Sequence, residues 1–491
     1  MIGQRYVKIH PDDDVIVCLA EVAAGEELAP GISARQPTPK GHKLALRAIA
    51  AGEPVRKYGA VIGRATAPIG PGEHVHVHNL KTALQTQESY AFSPAVSRDG
   101  VRSQGEGFMG YRRADGRVGV RNEIWILCTV GCVARTAERI AAEAQRRFAG
   151  RVDGVIALTH PFGCSQLGDD LAATRRILAA LAAHPNAGGV LFLGLGCESN
   201  ALDQLLAEAS GLDRPRMRAF SAQGVPDELE AGLAAVEELV SVVEGDRREP
   251  CPLSDLVVGV KCGGSDGLSG LTANPLVGRL ADEVVAAGGT VLMSEIPEVF
   301  GAERLLMARA ADPQVFDAVG QLVNDFKAYF VAHGEPVSEN PSPGNLEGGI
   351  TTLEEKSLGA VQKAGTGVVT EVLRYGQRVS RRGVAVVEAP GADAVSTTAL
   401  VAAGATLVLF TTGRGTPLGS PAPTLKIASN SGLASRKPSW IDVDAEPYLG
   451  APEAAADALL AAVIETASGR PTRAEQNGER EIAIWKRGVT L

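Results

Sequence analysis

Val120–Phe148 reads VRNEIWILCTVGCVARTAERIAAEAQRRF. Its first part is a short apolar run, as a strand buried on both faces requires. A glycine-containing turn follows, and the alanine-rich remainder reads as a helix. The alternation continues outward. GVIALTH (154–160), GGVLFLGL (188–195) and MRAFSAQ (217–223) read as strands, and LAATRRILAALAAH (171–184), LDQLLAEAS (202–210) and DELEAGLAAVEELVSVVEG (227–245) as helices. Strands that alternate with helices imply parallel βαβ units.

A second block repeats the pattern. LVVGVK, TVLMSE, GVAVVEA, TLVLFTT and PTLKIAS are its strands, and PLVGRLADEVVAAG, PQVFDAVGQLVNDFKAYFVAHG and AAADALLAAVIETASG are among its helices. Residues 1–82 differ, with short strand-like runs (YVKIH, DVIVCLA, KYGAVIGRA, EHVHVHN) between Gly and Pro punctuation, and predict a small all-β domain. Residues 83–107 are polar without apolar period and read as a linker; GDRREPCP (245–252) marks a second boundary. The predicted fold class is α/β: an all-β domain over 1–82, a linker over 83–107, a central α/β domain over 108–248 and a second α/β domain over 249–491 with a Rossmann-like parallel sheet.

Of the 491 residues, 45% are hydrophobic and 21% charged, which is ordinary for a globular chain. A net charge of −9 argues against nucleic acid or an anionic membrane as partner. An acidic small molecule stays open, because a pocket needs only local cations. MIGQRYVKIHPDDD has no secretory pattern, and no apolar run approaches a membrane span. The seven cysteines are odd in number and form no CxxC pair, so a reducing cytoplasm is expected and a zinc finger is not.

Open parallel sheets bind ligands outside the carboxyl ends of their strands. Four cysteines fall there, each beside a glycine: Cys132, Cys164, Cys197 and Cys262. A small apolar residue at a tight turn explains any one of them. Four together also suit a thiolate site for iron, zinc or an iron–sulfur cluster. The glycine loop CGGSDGLSGLTANP brings Ser265, Asp266 and Asn274 to the same kind of place, SEIPEVFGAE brings Glu295 and Glu298, FTTGRGTP brings Arg414, and NPSPGNLEGG brings Asn340 and Asn345. Neither a Walker A pattern nor GxGxxG after a strand is present, which weighs against a nucleotide. Such groups suit a hydroxylated acid.

GEHVHVHN (72–79) places His74, His76 and His78 on one face of a strand, with outer Cα atoms about 13 Å apart, too far for all three to hold one ion. An exposed strand face is the plain alternative. With His42, Lys43, Lys57 and Tyr58 in the same small domain, the histidines also read as proton-transfer equipment.

These stretches together carry a resemblance. GHKLALRAIAAGEPVRKYGAVIGRA, GEHVHVHN, YRRADGRVGVRNEIWILCTVGCV, GCSQLGDD, HPNAGGVLFLGLGCESN, CGGSDGLSGLTANP, NPSPGNLEGGITTLEEKSLG, FTTGRGTP and the tail IWKRGVTL run in order through nearly the whole chain. In them the sequence resembles the altronate dehydratases, a family that includes the galactarate dehydratases. The resemblance implies an N-terminal β-clip domain of the SAF type, a central α/β domain associated with dimerisation and a Rossmann-like C-terminal domain. It implies a requirement for ferrous iron (Fe2+), with manganese (Mn2+) as the alternative, and for reducing conditions. Nuclearity stays open, an iron–sulfur cluster included. The implied reaction is loss of water from D-altronate in hexuronate catabolism, by a cytoplasmic homodimer acting on a small sugar acid. Galactarate dehydratase or another sugar-acid lyase, on a sulfonate for example, is the alternative. Outside the resemblance stand a nicotinamide oxidoreductase and a binding module that does not turn over. Where Thr-Tyr is expected before GCSQ, this chain has Pro161-Phe162. The expected roles are His42, His76 and Lys57 as catalytic groups, Arg121, Arg414, Ser265, Asp266 and Asn274 as substrate ligands, and Cys132, Cys164, Cys197 and Cys262 as metal ligands. The histidines reach substrate only if the small domain swings over the sheet.

Overall fold

The apolar run of the central region forms β1 (Glu123–Cys128), buried at every position. It pairs in parallel with β2 (Gly154–Leu158) and β3 (Ala187–Gly194), and β4 (Met217–Ser221) extends the sheet to the order β2-β1-β3-β4. Side chains alternate across a strand. Ile124, Ile126 and Cys128 therefore pack with α1 (Ala134–Arg147) and α3 (Glu228–Val243), while Trp125 and Leu127 share a core with α2 (Gly168–Ala182). Apolar residues on both faces are what a sheet covered by helices on both sides needs. The computed structural model describes residues 5–92, 107–209 and 212–491.

The C-terminal domain holds a second, seven-stranded parallel sheet. Its strands are β5 (Val257–Cys262), β6 (Thr290–Met293), β7 (Val369–Leu373), β8 (Gly383–Val387), β9 (Leu407–Thr412), β10 (Thr424–Ala428) and β11 (Val443–Asp444). They lie in the order β7-β8-β6-β5-β9-β10-β11. Chain order reverses between β5 and β9; the loops that follow are bonded at first, the amides of Gly413 and Arg414 donating to Gly264 O, and a small cleft opens beyond, by Asp266 and Arg414. The helices that bear on function are α4 (Ala273–Ala286), α5 (Pro313–Ala332), α6 (Leu353–Ala360), α7 (Asp393–Ala403) and α8 (Pro452–Ala467). The chain is thus mixed α/β with an N-terminal all-β part. No helix among the described residues is long and apolar enough to cross a membrane.

The N-terminal part consists of short antiparallel strands, with Val15–Cys18 between Tyr6–Val7 and Lys43–Ala45, and a hairpin of Pro54–Lys57 and Ala60–Ala65. The strand expected through His78 ends at Val75. Asn79 turns the chain: its side chain accepts from the His76 amide at 2.9 Å, and the amides of Asn79 and Leu80 donate to His76 O. Residues 83–92 lie against the C-terminal domain, where Tyr90 donates to Glu303 at 2.8 Å and Phe92 meets Phe316 edge-on. The rest of the expected linker, 93–106, is outside the described residues. Gly107–Arg112 then pairs with Glu249–Pro252, so the stretch read as a second boundary forms a strand beside the entrance to the central domain.

The two α/β units pack through α2 and α7. Beyond their ends, His184 and Asn186 bond the carbonyls of Ala405 and Thr406. The tail then crosses between the units. Ala483 N donates to Thr398, Trp485 N to Tyr375, the amides of Arg487 and Gly488 to Asp170, and Thr490 bridges to Gln166.

Candidate active site at the ends of two parallel sheets

The carboxyl end of β5 and its neighbours holds a buried layer of charge. Lys261 and Cys262 end the strand. Lys261 is fully buried and pairs with Glu295, with Asp393 at 2.8 Å and with the Cys262 carbonyl at 2.7 Å. Glu295 sits at φ +67°, a left-handed conformation that a non-glycine residue holds only at a cost. It turns its carboxylate under β5, where it accepts from Cys262 N at 3.0 Å. Glu298 follows one turn later, accepts from Lys356 at 2.8 Å and lies 3.4 Å from Cys262 Sγ. Lys363 stands 2.7 Å from the same sulfur.

Above this layer is a cavity of about 580 Å3. Glu298, Lys356, Asn340, Asn345 and Asp393 give it polar walls; Phe326, Tyr329 and Trp485 give it an apolar one. Lys356 holds all three of its protons toward acceptors, with Asn340 at 3.0 Å and Asn345 at 3.2 Å besides Glu298. Trp485 stacks on Phe326, so the tail closes one side. Gly263 lies at the edge: a Cβ there would meet the Asp393 carboxylate at 2.6 Å, so no larger residue fits.

Burial sets the charge states. It raises the Glu298 carboxyl, but Lys356 and Lys261 override it and hold the group down at about 2. Burial and the Glu295 carboxylate push the Cys262 thiol up to about 12, so it stays protonated. Burial also raises Glu295, with Lys261 opposing. Burial lowers Lys261, but Glu295 and Asp393 outweigh it and keep the ammonium.

The expected catalytic histidines lie elsewhere. Because the chain turns after Val75, their rings gather instead of lining up: His42, His74 and His76 have centroids 5.1–5.2 Å apart, and His78 is 5.8 Å from His74. His42 Nε2 donates to Glu347 O at 3.1 Å and His76 Nε2 to Leu346 O at 3.0 Å; His42 Nδ1 is then left to accept from His74 Nε2 at 3.0 Å. Burial lowers all three, His74 to about 3 with the help of His42 and His76. They hold the short helix Pro343–Glu347 from outside, while Asn345 of that helix faces the cavity. Lys57 is 1% exposed and shares Glu355 with Lys43, at 2.7 and 2.9 Å. His42, His76 and Lys57 thus stand where the small domain meets the C-terminal domain, and none of them is among the residues lining this cavity.

Of the expected substrate ligands, Arg121 does not line the cavity. It is buried in a clamp on Glu475 and on the carbonyls of Val120, Thr466 and Arg470, with every donor used inside the protein. Asn274 is spent on Thr411 and the Gly359 carbonyl. Asp266 ties its own loop to that after β10 through Ser269, Ser429 and Asn430. Ser265 lends its carbonyl to Asn345. Arg414 pairs with Glu347 at 3.0 Å on the surface, beside a smaller cleft at the β5–β9 reversal shared with Asp266 and Lys40. Sequence reading missed Lys261, Lys356, Lys363 and Asp393. Its only signal was the glutamates expected at the end of β6.

The four strand-end cysteines divide. Cys262 is buried, and with Glu295 and Glu298 it forms the one trio of metal-capable residues among the described residues whose ligand atoms lie within 4.8 Å of one another. The trio does not fit a resident cation. Lys363, Lys261 and Lys356 already stand on its sulfur and two carboxylates, and a divalent ion would add buried charge that nothing offsets. Cys132, Cys164 and Cys197 are exposed, on the loops after β1, β2 and β3. Those loops interlock: Gly131 N donates to Phe162 O, Asn200 N to Gly163 O and Asn200 Nδ2 to Thr129 O. Among the described residues no lysine or arginine hydrogen-bonds to these three sulfurs, and soft thiolates suit iron.

The chain matches three known sequence families along its length. Residues 4–83 match the altronate/galactarate dehydratase SAF domain, residues 110–244 the second domain of D-galactarate dehydratase/altronate hydrolase, and residues 253–490 the D-galactarate/altronate dehydratase C-terminal domain. The chain belongs to the altronate/galactarate dehydratase family, and it is a hydro-lyase. Within the family it is 46% identical to the altronate dehydratase of Bacillus subtilis, over 99% of this chain and 100% of that one. It is 48% identical to the altronate dehydratase of Escherichia coli over the same shares. The galactarate dehydratase (L-threo-forming) of Escherichia coli stands at 34%, over 98% of this chain and 96% of its own length.

Proposed function

We propose that this chain dehydrates D-altronate to 2-dehydro-3-deoxy-D-gluconate, with Glu298 and Lys356 as the proton-transfer pair. The observation that carries the assignment is a carboxylate and an ammonium 2.8 Å apart on the wall of a cavity at the strand ends. Glu298, ionised at any working pH, takes the proton from C2. Charge moves onto the substrate carboxylate, where the Asn340 and Asn345 amides and the layer of lysines below stabilise it. A carboxylate held so low is a weak base, and that stabilisation offsets the weakness. Lys356 gives a proton to the C3 hydroxyl, which leaves as water, and Glu298 returns the C2 proton to Lys356. The enol left behind tautomerises to the 2-keto-3-deoxy acid. The apolar wall with Trp485 excludes water from the reacting face.

The cavity lining favours a monoacid. Among the described residues it contains Lys356 and no arginine, whereas a diacid such as galactarate needs a second cation at the far end. Ferrous iron, with manganese second, is part of the proposal; the exposed thiols of Cys132, Cys164 and Cys197 are the donors offered for it, and it would supply a Lewis acid for a hydroxyl or carboxylate oxygen. Seven unpaired cysteines support a reducing, cytoplasmic setting. The family resemblance supports a homodimer and a place in galacturonate breakdown as further parts of the proposal.

The test is to reduce the protein anaerobically, add ferrous iron and follow 2-keto-3-deoxy acid formation from altronate and galactarate side by side. Turnover of altronate well above galactarate is expected. Turnover of galactarate alone would overturn the specificity, and turnover of neither would overturn the substrate class.

A further inference from the structure

We propose that Trp485 is a specificity-determining residue: its ring keeps the guanidinium of Arg487 out of the cavity, and so denies a second substrate carboxylate its cation. The inference rests on the proposed function for the cavity and the class of substrate. It names the residue that excludes a sugar diacid.

Charge in the cavity lining is one-sided. Besides Lys356, the charged groups there are the acids Glu298, Glu339 and Asp393. Lys356 is already spent on Glu298, Asn340 and Asn345. A second carboxylate in this space meets no free cation among the described residues of the lining, and a charge buried without a partner is costly.

A cation stands just outside. The guanidinium carbon of Arg487 lies 4.4 Å from the centre of the Trp485 ring. That guanidinium makes no hydrogen bond or ion pair among the described residues, and Arg487 is not part of the lining. The face of an indole attracts a cation, so the ring holds Arg487 where it is. The same ring lines the cavity and is 8% exposed. It stacks on Phe326, with centroids 5.2 Å apart and planes 6° from parallel, and meets Tyr329 and Tyr375 edge-on.

The backbone on both sides of Trp485 is fixed without the help of the ring. Ala483 N donates to Thr398 Oγ1 at 3.0 Å, and Trp485 N donates to the Tyr375 hydroxyl at 2.9 Å. Beyond it, the amides of Arg487 and Gly488 each donate at 2.8 Å to Asp170, a carboxylate 2% exposed on α2 of the central domain. Removal of the indole therefore leaves Arg487 anchored beside the space that the ring filled. A guanidinium is a planar fork that matches a carboxylate, and its side chain is long enough to enter that space. The plain alternative is a ring that only packs.

The whole chain, reduced anaerobically and supplied with ferrous iron, is titrated with altronate and with galactarate in a calorimeter, and turnover is followed beside it. Wild type, Trp485→Ala, Arg487→Gln and the double variant are compared. Trp485→Ala is expected to shift the preference toward galactarate by about tenfold or more, through a new charge-assisted pair. The double variant should return to the wild-type preference, and Arg487→Gln alone should leave it unchanged. A ring that only packs predicts weaker binding of both acids in Trp485→Ala, alike with and without Arg487. That result, or an unchanged preference, would overturn the inference. Should Trp485→Ala not fold, as thermal unfolding would show, Trp485→Leu takes its place, with a smaller shift that again depends on Arg487. Binding is read without reference to the reacting groups. Altronate bound by the wild type but not dehydrated sinks the proposed reaction and leaves the shift in preference to decide this inference; altronate turnover beside an unchanged preference does the reverse.

Discussion

The two parallel sheets end in the same residue in opposite surroundings. In the central domain the strand-end cysteines are exposed, on loops tied by backbone hydrogen bonds, with no cationic side chain among the described residues bonded to them. In the C-terminal domain Cys262 is buried under three lysines and two glutamates, and its thiol is held up at about 12. A strand end alone therefore does not make a metal ligand. The neighbours differ: ammonium groups beside carboxylates suit the C-terminal edge to the proton transfer proposed there, and thiols without such partners suit the central edge to the soft metal proposed there.

The largest expected effect breaks the C-terminal edge. Glu298→Gln removes the base and should cut turnover by about 10^2- to 10^4-fold, with bound iron unchanged. Steady-state kinetics beside an iron assay read both. Next comes the docking of the small domain. Glu355→Gln strands the ammoniums of Lys43 and Lys57 in a dry interface, and loss of one partner from such a pair costs about 3–5 kcal/mol. Thermal unfolding should fall, and limited proteolysis should release the first 80 or so residues before the rest.

A gentler change acts on the histidine cluster. Each of His42, His74 and His76 is lowered on folding, so the folded state binds fewer protons than the unfolded one. The contribution is present above the unfolded value near 6.5 and is lost as pH falls toward about 3, where His74 charges. Docking of the small domain, followed by hydrogen exchange at 343–349, should loosen across that window. The smallest effect is at Arg414. Its pair with Glu347 is exposed, so Glu347→Gln should change stability by about 1 kcal/mol or less, as chemical denaturation would show.

Much of the architecture was legible. Apolar runs of strand length beside alanine-rich helices placed β1–β4 and most of the second sheet, because burial on both faces leaves a continuous apolar signature. The strand-end position of the cysteines and of Glu295 and Glu298 followed from the same pattern. The histidine bend was not legible: alternation in HVHVH favours a strand, and only the Asn79 side chain, through its bond to the His76 amide, turns it. Nor were the lysines. Every residue of α6, LEEKSLGA, is buried although three carry charge, because their partners come from distant parts of the chain: Thr82 for Glu354, Lys43 and Lys57 for Glu355, Glu298 for Lys356. Such pairings leave no mark on local hydropathy. Arg121 misled for a related reason, since its partners Thr466, Arg470 and Glu475 lie some three hundred and fifty residues away.

The division between the two edges is tested most directly by bound iron and altronate turnover, measured together in Glu298→Gln and Cys164→Ser. The account predicts that Glu298→Gln keeps its iron and loses turnover, while Cys164→Ser loses its iron. Iron lost from Glu298→Gln and retained in Cys164→Ser would place the metal at the C-terminal edge and contradict it.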